Sequence, residues 1–515
     1  MPAARISQGS FFFVFGRRLS ALLIALAVAA AVCLFKDYIA LFVAALCFAV
    51  LVALSRFDLV KLTLAYILAD HLCNLLKRAI YLFGDQPVMV YGAFQLFPAL
   101  LLIIAVFISL PTVTRYRLPP SLSVLMMFVF VSTVTTLAAP SGTALSARMA
   151  GLAREVLPIA AVFVGIALPP GSLGRIAKLC YIIIIVSVLY GAYQFAFGPT
   201  LIDRVWANHT YTFSIEGSKV FGYISGSLHE FRIYSHYADH MSWGIFLVTG
   251  LVIIFASVRI GAVSRSWLYV AIPLVLFGIF ITETRTVWVA FLGALGVHRV
   301  ISRRLLRRPM LMVGGVLGSF AAVLYLGNYV LTNYRGVIMY ANTLVGRYTQ
   351  IGTIEARMSA WDLFQKTLPV HWLIGTGFGY ESAYSALNPN YVFVSEMFSH
   401  NMFVDYLVQT GLPGLILLMA FFYMWFREAF WVIGNSLRST SIPAGWIVAL
   451  ILGMLLTGCL NGPSFMSAYF WLVIGLVMGY WSRLRAEQIA ANELLLGASH
   501  AVPARIRGPR SFQNV

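Results

Sequence analysis

Three stretches of this chain read "LSALLIALAVAAAVCLF" (19–35), "YIALFVAALCFAVLVAL" (38–54) and "IAKLCYIIIIVSVLYGAYQFAF" (176–197). Each approaches the ~20 apolar residues that a helix needs to cross a bilayer. In lipid, only helices or closed barrels satisfy their own backbone hydrogen bonds, and the strict alternation of a barrel strand is absent. The composition agrees: 60% of the 515 residues are hydrophobic, 10% are charged and the mean hydropathy is +0.86. A soluble protein carries about 25% charged residues. The sequence therefore predicts an all-α, polytopic integral membrane protein of about 12–14 transmembrane helices with a large extracytoplasmic loop.

About fourteen spans are expected, near 19–35, 38–54, 59–74, 88–110, 121–138, 151–168, 176–197, 237–258, 267–282, 286–300, 310–327, 401–426, 443–460 and 465–482. The third and sixth are the weakest, interrupted by Asp70, His71 and Glu155. "MPAARISQGSFFFVFGRR" has no small-residue cleavage site after an apolar core, so the first helix is expected to be retained. The organisation that follows is 1–197 N-terminal helices, 198–236 a first extracytoplasmic loop, 237–327 central helices, 328–400 the large periplasmic loop, 401–482 C-terminal helices and 483–515 a cytoplasmic tail. The five cysteines fall in or beside spans, and no disulfide framework is indicated.

Charge sets the orientation. With both termini on one side, that side receives most of the 36 basic residues, including "HRVISRRLLRR" (298–308), but only Asp58, Glu428, Glu487 and Glu493 of the 18 acidic ones. Basic residues near span ends stay cytoplasmic. Both termini and the basic stretches are thus expected in the cytoplasm, and loops 198–236 and 328–400 outside. The net charge of +18 is a topology signal. Its spread over short loops, without a recognition motif, argues against nucleic acid as a partner.

A few residues break the apolar pattern on the outer side. Arg285, in "FITETRTVWVAF", stands at a predicted membrane boundary, where charge is costly and usually functional; a snorkelling residue paired with Glu283 is the plainer reading. Arg357 opens "RMSAWDLFQKTLPVHWLIGTGFGY". Residues 354–368 have the spacing of an amphipathic helix that places Arg357 and Trp361 as stacking neighbours. "GTGFG" (375–379) lacks the Lys-Ser/Thr of a phosphate loop and reads as a flexible turn. "HYADH" sets His236, Asp239 and His240 on one helical face, yet no further ligand is clear, so no metal is assigned. Arg232, at the junction of loop and span, suits an anionic headgroup. In "SEMFSHNMFVDYLVQTGLPG" (395–414), Asn401 reads as a helix cap. His400, with an unperturbed pKa of about 6.5, is the candidate base for a hydroxyl, and Glu396 and Asp405 are near enough in sequence to orient it. Several arginines on the same side suit a diphosphate.

At these residues the chain resembles the O-antigen ligase/polymerase superfamily of bacterial envelope glycosyltransferases. "TETRTVWVAFLGAL" is similar to that family's Ser/Thr-x-Thr/Ser-Arg helix start, "RMSAWDLFQKTLPVHWLIGTGFG" to its Arg…Trp…Gly-x-Gly-x-Gly segment, and "SHNMFVDYLVQTGLPGLILL" to its His-Asn segment and Gly-rich helix. Residues 280–420 carry the motifs. The resemblance implies transfer of a glycan from an undecaprenyl-diphosphate carrier to an acceptor hydroxyl, without metal or cofactor, at the inner (cytoplasmic) membrane. It implies that Arg285 and Arg357 hold the diphosphate and that His400 activates or orients the acceptor hydroxyl; Arg232, Asn401 and Trp361 are expected as further substrate contacts from their positions in the sequence. Val287, where small residues are common, and the extra N-terminal spans depart from the pattern. The expected function is polymerisation of lipid-linked repeat units into exopolysaccharide, capsule or O-antigen. A ligase acting on lipid A–core is the near alternative, and a flippase or secondary transporter the alternative of another class. Expected partners are the donor, a glycan or lipid A–core acceptor, membrane lipids, a flippase and a chain-length regulator.

Overall fold

The computed structural model describes residues 48–79, 82, 88–138, 145–205, 233–237, 240–282, 284–302, 372–378, 401–458 and 467–500. Among these residues there is no strand, and seven helices are long and apolar enough to cross a membrane. The protein is an all-α polytopic membrane protein. Among the described residues its helices include α1 (Leu59–Ala79), α2 (Val88–Val113), α3 (Pro120–Ala138), α4 (Leu145–Ile159), α5 (Ala161–Ala167), α6 (Leu173–Phe197), α7 (His240–Arg259), α8 (Ser266–Ile281), α9 (Arg285–Ser302), α10 (Met402–Asn435), α11 (Arg438–Gly458) and α12 (Ala468–His500). The expected spans 19–35 and 310–327, and most of 38–54, lie outside the described residues.

The weak third span is a complete helix, because its polar residues find partners. On α1, Asp70 accepts a 2.8 Å hydrogen bond from the Tyr469 hydroxyl of α12, and His71 meets His236 and Tyr237. The sixth span differs from expectation. Residues 151–168 do not form one helix: α4 ends at Ile159 just past Pro158, a turn at Ala160 follows, and the short α5 stops before Pro169 and Pro170. Proline has no amide to donate and clashes with the preceding turn, which accounts for both interruptions.

Apolar side chains gain little by meeting each other in lipid, so helices associate there through close packing of small residues. The seam between α5 and α12 shows this directly. A β-carbon on Gly475 would stand 2.2 Å from the Val162 carbonyl oxygen, one on Gly479 2.5 Å from that of Ile166, and one on Gly165 2.3 Å from that of Leu472. The α9–α11 crossing is built the same way, with Gly453 against the Ala290 carbonyl at 2.5 Å. α11 lies between α9 and α10 and touches both.

The bundle has two unlike ends. Arg115, Arg117, Arg259, Arg265, Arg299, Arg427, Arg483 and Arg485 collect at one of them. There the Glu428 carboxylate of α10 accepts from both the backbone amide and the hydroxyl of Ser121, capping the start of α3. At the opposite end α1, α3 and α6 finish, α7, α9 and α10 begin, and the segments 198–205, 233–237 and 372–378 attach. Both ends of the first long loop, and the C-terminal end of the second, attach here.

The glycine seam gives a direct test. Gly475→Leu forces a side chain into a backbone carbonyl, and full-length protein extracted in detergent is expected to lose its folded, monodisperse peak in size-exclusion chromatography. Gly171→Ala, at a position with nothing within 4 Å, is expected to leave that peak unchanged.

Candidate functional site at the loop end of the bundle

α10 is broken near its start. Gly411 has φ 70 and ψ 179, which no helix contains, so residues 402–410 and 412–435 are two helical pieces meeting at a bend. In an unbroken helix the carbonyl of Val408 would accept from Leu412, and that of Gln409 from residue 413. Residue 413 is proline and has no amide hydrogen. The segment 372–378 supplies what the break removes. Thr376 donates its amide to the Val408 carbonyl at 2.7 Å, Gly377 donates to that of Gln409 at 2.9 Å, and the orphaned Leu412 amide donates to the Trp372 carbonyl at 2.8 Å. The Thr376 hydroxyl adds a bond to Val408, and the Phe378 amide donates to the Thr136 hydroxyl on α3 at 2.9 Å.

This joint needs glycine on both sides. Gly375 has φ 86, and a β-carbon there would lie 2.6 Å from the Gly411 nitrogen; one on Gly411 would lie 2.6 Å from the Leu373 oxygen. The "GTGFG" and "QTGLPG" motifs are thus the two halves of one backbone joint.

The half-helix 402–410 is fixed at its other end by Asn401. That residue is extended (φ −136, ψ 112), and its Oδ1 accepts from the amides of Phe403 and Val404 at 3.0 and 3.4 Å. Asp405, Tyr406, Gln409 and Thr410 are buried on this piece. The Tyr406 hydroxyl donates to Glu155 of α4, which also accepts from Arg154 Nε at 3.0 Å. Aromatic edges of Phe128 and Phe378 close on the Tyr406 ring.

Arg285 is the first residue of α9, at the same end of the bundle and one helix away from α10. Its backbone is held closely. The Thr282 hydroxyl accepts from the Thr284 amide, and the Thr457 hydroxyl of α11 donates to the Thr286 carbonyl. Val287, the bulky departure from the motif, is accommodated by Gly244 on α7, where a β-carbon would stand 2.5 Å from the valine methyl. The structure therefore brings Asn401, the Gly-x-Gly segment and the start of α9 to one end. Arg232, Arg357, Trp361 and His400 lie outside the described residues, as does the Arg285 side chain.

A second polar constellation at this end escaped the sequence reading. Arg78, at the close of α1, and Asp203 are fully buried and paired at 2.9 Å. Arg78 also donates to the Ser235 carbonyl at 2.8 Å and stacks on Tyr234. Asp203 accepts from Gln194 and Tyr190 of α6 and from Thr200. Gln194 in turn grips both the amide and the carbonyl of Ser235, a non-glycine residue held at φ 53. Both ends of the first loop are tied to α1 and α6 through these contacts. A lone arginine in "NLLKRAIYLF" gives no sign of a partner 125 residues away, and only the unusual depth of the charge could have flagged it.

The helical face expected to join His236 and His240 in "HYADH" does not form. His236 stands in a turn ahead of α7, whose first residue is His240, so the two do not share a helical face; Asp239 lies outside the described residues. The His236 ring instead joins a directed chain. The Ser235 hydroxyl uses its only proton on the Ser187 carbonyl at 2.7 Å, so it accepts from His236 Nδ1 at 3.3 Å. His236 Nε2 is then an acceptor, His71 Nδ1 the donor to it, and Tyr237 the donor to His71 Nε2, each at 3.3 Å. Both imidazoles are neutral. Burial, helped by the Arg78 charge, lowers the His236 pKa to about 3, while burial and the Asp70 carboxylate raise that of Tyr237.

Residues 268–419 match the family model described as O-antigen ligase. The matched stretch opens in α8, contains Arg285 and all of 328–400, and closes just beyond the Gly411 break. No curated protein matches the chain.

Two outcomes are expected. Gly411→Ala places a β-carbon on the Leu373 carbonyl in a left-handed conformation, and should lower stability by about 1–3 kcal/mol. Gly434→Ala, on the same helix with nothing within 4 Å, should not; melting temperatures in detergent compare the two. Because the folded His236 pKa of about 3 lies below the unfolded value, the unfolded chain binds the extra proton. Stability should therefore fall as pH drops below about 6.5, by at most about 1.4 kcal/mol per unit from this group. The His236→Asn protein should show the shallower decline between pH 6.5 and 5.

Proposed function

We propose that this chain polymerises undecaprenyl-diphosphate-linked oligosaccharide repeat units at the periplasmic face of the bacterial inner membrane, a reading that the match of residues 268–419 to the O-antigen ligase family supports. The domain gives the chain a ligase- or polymerase-type role in polysaccharide synthesis, with a lipid-linked glycan donor and an acceptor as substrates.

The observation that carries it is the capped half-helix 402–410. Asn401 fixes its start and the 372–378 joint fixes its end, and His400 immediately precedes that cap in the sequence, within the matched stretch. Arg285 begins a helix at the same end of the bundle. In the proposed reaction an acceptor hydroxyl attacks the anomeric carbon of the donor sugar. The bond from that carbon to the diphosphate oxygen breaks, and its electron pair leaves with the diphosphate. His400 takes the hydroxyl proton as general base. Arg285 and Arg357 answer the charge that grows on the leaving group, where fixed cations lower the barrier. Arg232 is assigned to the carrier headgroup, and Trp361 to stacking that steadies Arg357 against the donor. Nothing in this scheme calls for a metal or cofactor.

The family description favours a second reading, the transfer of a finished glycan onto lipid A–core. Deleting the gene separates the two. A polymerase is expected to leave single lipid-linked repeats, whereas full-length lipid-linked polymer would establish the ligase. His400→Ala in the full chain is expected to reduce transfer by about 10²–10⁴-fold, with unchanged insertion into the membrane. Wild-type turnover by that variant would remove His400 from the mechanism.

A further inference from the structure

The Arg78–Asp203 pair is sealed inside the bundle, but the Arg154–Glu155 pair opens outward: the arginine side chain is 55% exposed and the glutamate 15%. α3 finishes at the loop end and α6 begins at the other, so α4 and α5 cross the bundle between them. Arg154 lies within that crossing, on α4. A charge left exposed in a membrane crossing is costly and marks a functional position, while an exposed arginine–carboxylate pair adds little stability. The pair is nevertheless firmly built. Glu155 accepts the Tyr406 hydroxyl from the half-helix 402–410 as well as Arg154 Nε at 3.0 Å. The Tyr406 ring is held by Phe128 and by Phe378, whose amide is itself bonded to Thr136 at the joint. A guanidinium presents donors along two edges, one that includes Nε and one between its terminal nitrogens. Glu155 takes the first. Among the described residues, Nη1 and Nη2 of Arg154 donate to nothing, which leaves the second edge for a ligand.

We propose that Arg154 binds a lipid-borne phosphate through its terminal nitrogens, and that Tyr406 and Glu155 are the residues that position it. Two phosphate oxygens accept from Nη1 and Nη2, the planar match for which arginine is suited and lysine is not. The carboxylate that aims the guanidinium is the more enclosed partner and faces the Tyr406 hydroxyl, so the cation is the part offered to the membrane. Resting on the proposed polymerase function, the phosphate is the carrier's diphosphate, met as the carrier moves in sideways from the bilayer; a bulk phospholipid headgroup presents the same chemistry. The relay ties this contact to the joint, since Phe378, Tyr406, Glu155 and Arg154 follow one another in space.

The experiment titrates purified full-length protein, in a maltoside detergent that carries no phosphate, with undecaprenyl diphosphate, with undecaprenol and with phosphatidylglycerol, and reads the bound fraction by native mass spectrometry. Wild type is expected to hold undecaprenyl diphosphate more tightly than undecaprenol. Arg154→Gln should weaken the diphosphate by about 10-fold or more while leaving undecaprenol unchanged. Arg154→Lys, which keeps the charge and loses the fork, should recover only part of that affinity. Tyr406→Phe should cost about 3-fold, and nothing further when Arg154 is already glutamine, a dependence that a merely structural role would not show. Melting temperatures without lipid report folding separately. Equal diphosphate affinity in wild type and Arg154→Gln overturns the site and leaves the polymerase reading standing. Phosphatidylglycerol that binds as tightly as undecaprenyl diphosphate, and weakens equally in Arg154→Gln, upholds the phosphate site and overturns its assignment to the carrier. Failure of wild type to extend lipid-linked repeat units, with Arg154-dependent binding intact, overturns the polymerase reading alone.

Discussion

A polypeptide inside a membrane has no water to satisfy its backbone, so a helix can be broken there only if other protein groups take over its hydrogen bonds. The loop end of this bundle is organised around one such break. Gly411 turns the chain, Pro413 withholds an amide, and three amide–carbonyl bonds exchanged with residues 372–378 make good the loss. Removing the loop segment would expose two carbonyls and an amide; removing the break would leave the loop segment nothing to bind. Neither half is stable in lipid without the other. That mutual dependence holds the capped half-helix 402–410 at a defined place.

The buried charges at the same end serve a related purpose. Arg78 and Asp203 are expensive to bury, and pairs of this kind seldom add net stability compared with apolar residues of similar size. What they give is a fixed connection: the residues that leave α6 and those that enter α7 are bound to each other through Arg78, Asp203, Gln194 and Ser235. The neutral His71–His236 pair extends this framework to Tyr237 without adding charge.

Much of the architecture was legible in the sequence because lipid enforces a simple code of apolar length and basic flanks. The helices at 88–113, 120–138, 173–197, 240–259 and 402–435 fall close to their expected positions. The code says nothing about pairing. Asp70 and His71 looked like defects in a span because their partners, Tyr469 and His236, are distant in sequence. The division at Ala160 was hidden for a different reason, since a proline in an apolar run can kink a helix or end it. At the site, Asn401 was readable as a cap from local chemistry alone. "GTGFG" reads from the sequence as a flexible turn, whereas Thr376 and Gly377 are bonded into the joint with "QTGLPG"; that role needed the fold, because a backbone hydrogen bond leaves no mark on side-chain identity.

The joint also makes a ring. Gly377 and Val408 are neighbours in space, so the chain between them leaves and returns through one narrow neck. The entropy of closing such a ring is met when the protein folds and rises only with the logarithm of its length. The sequence between 378 and 401 can therefore change in length at small entropic cost while the three backbone bonds of the neck, and the helix start beside it, stay as they are.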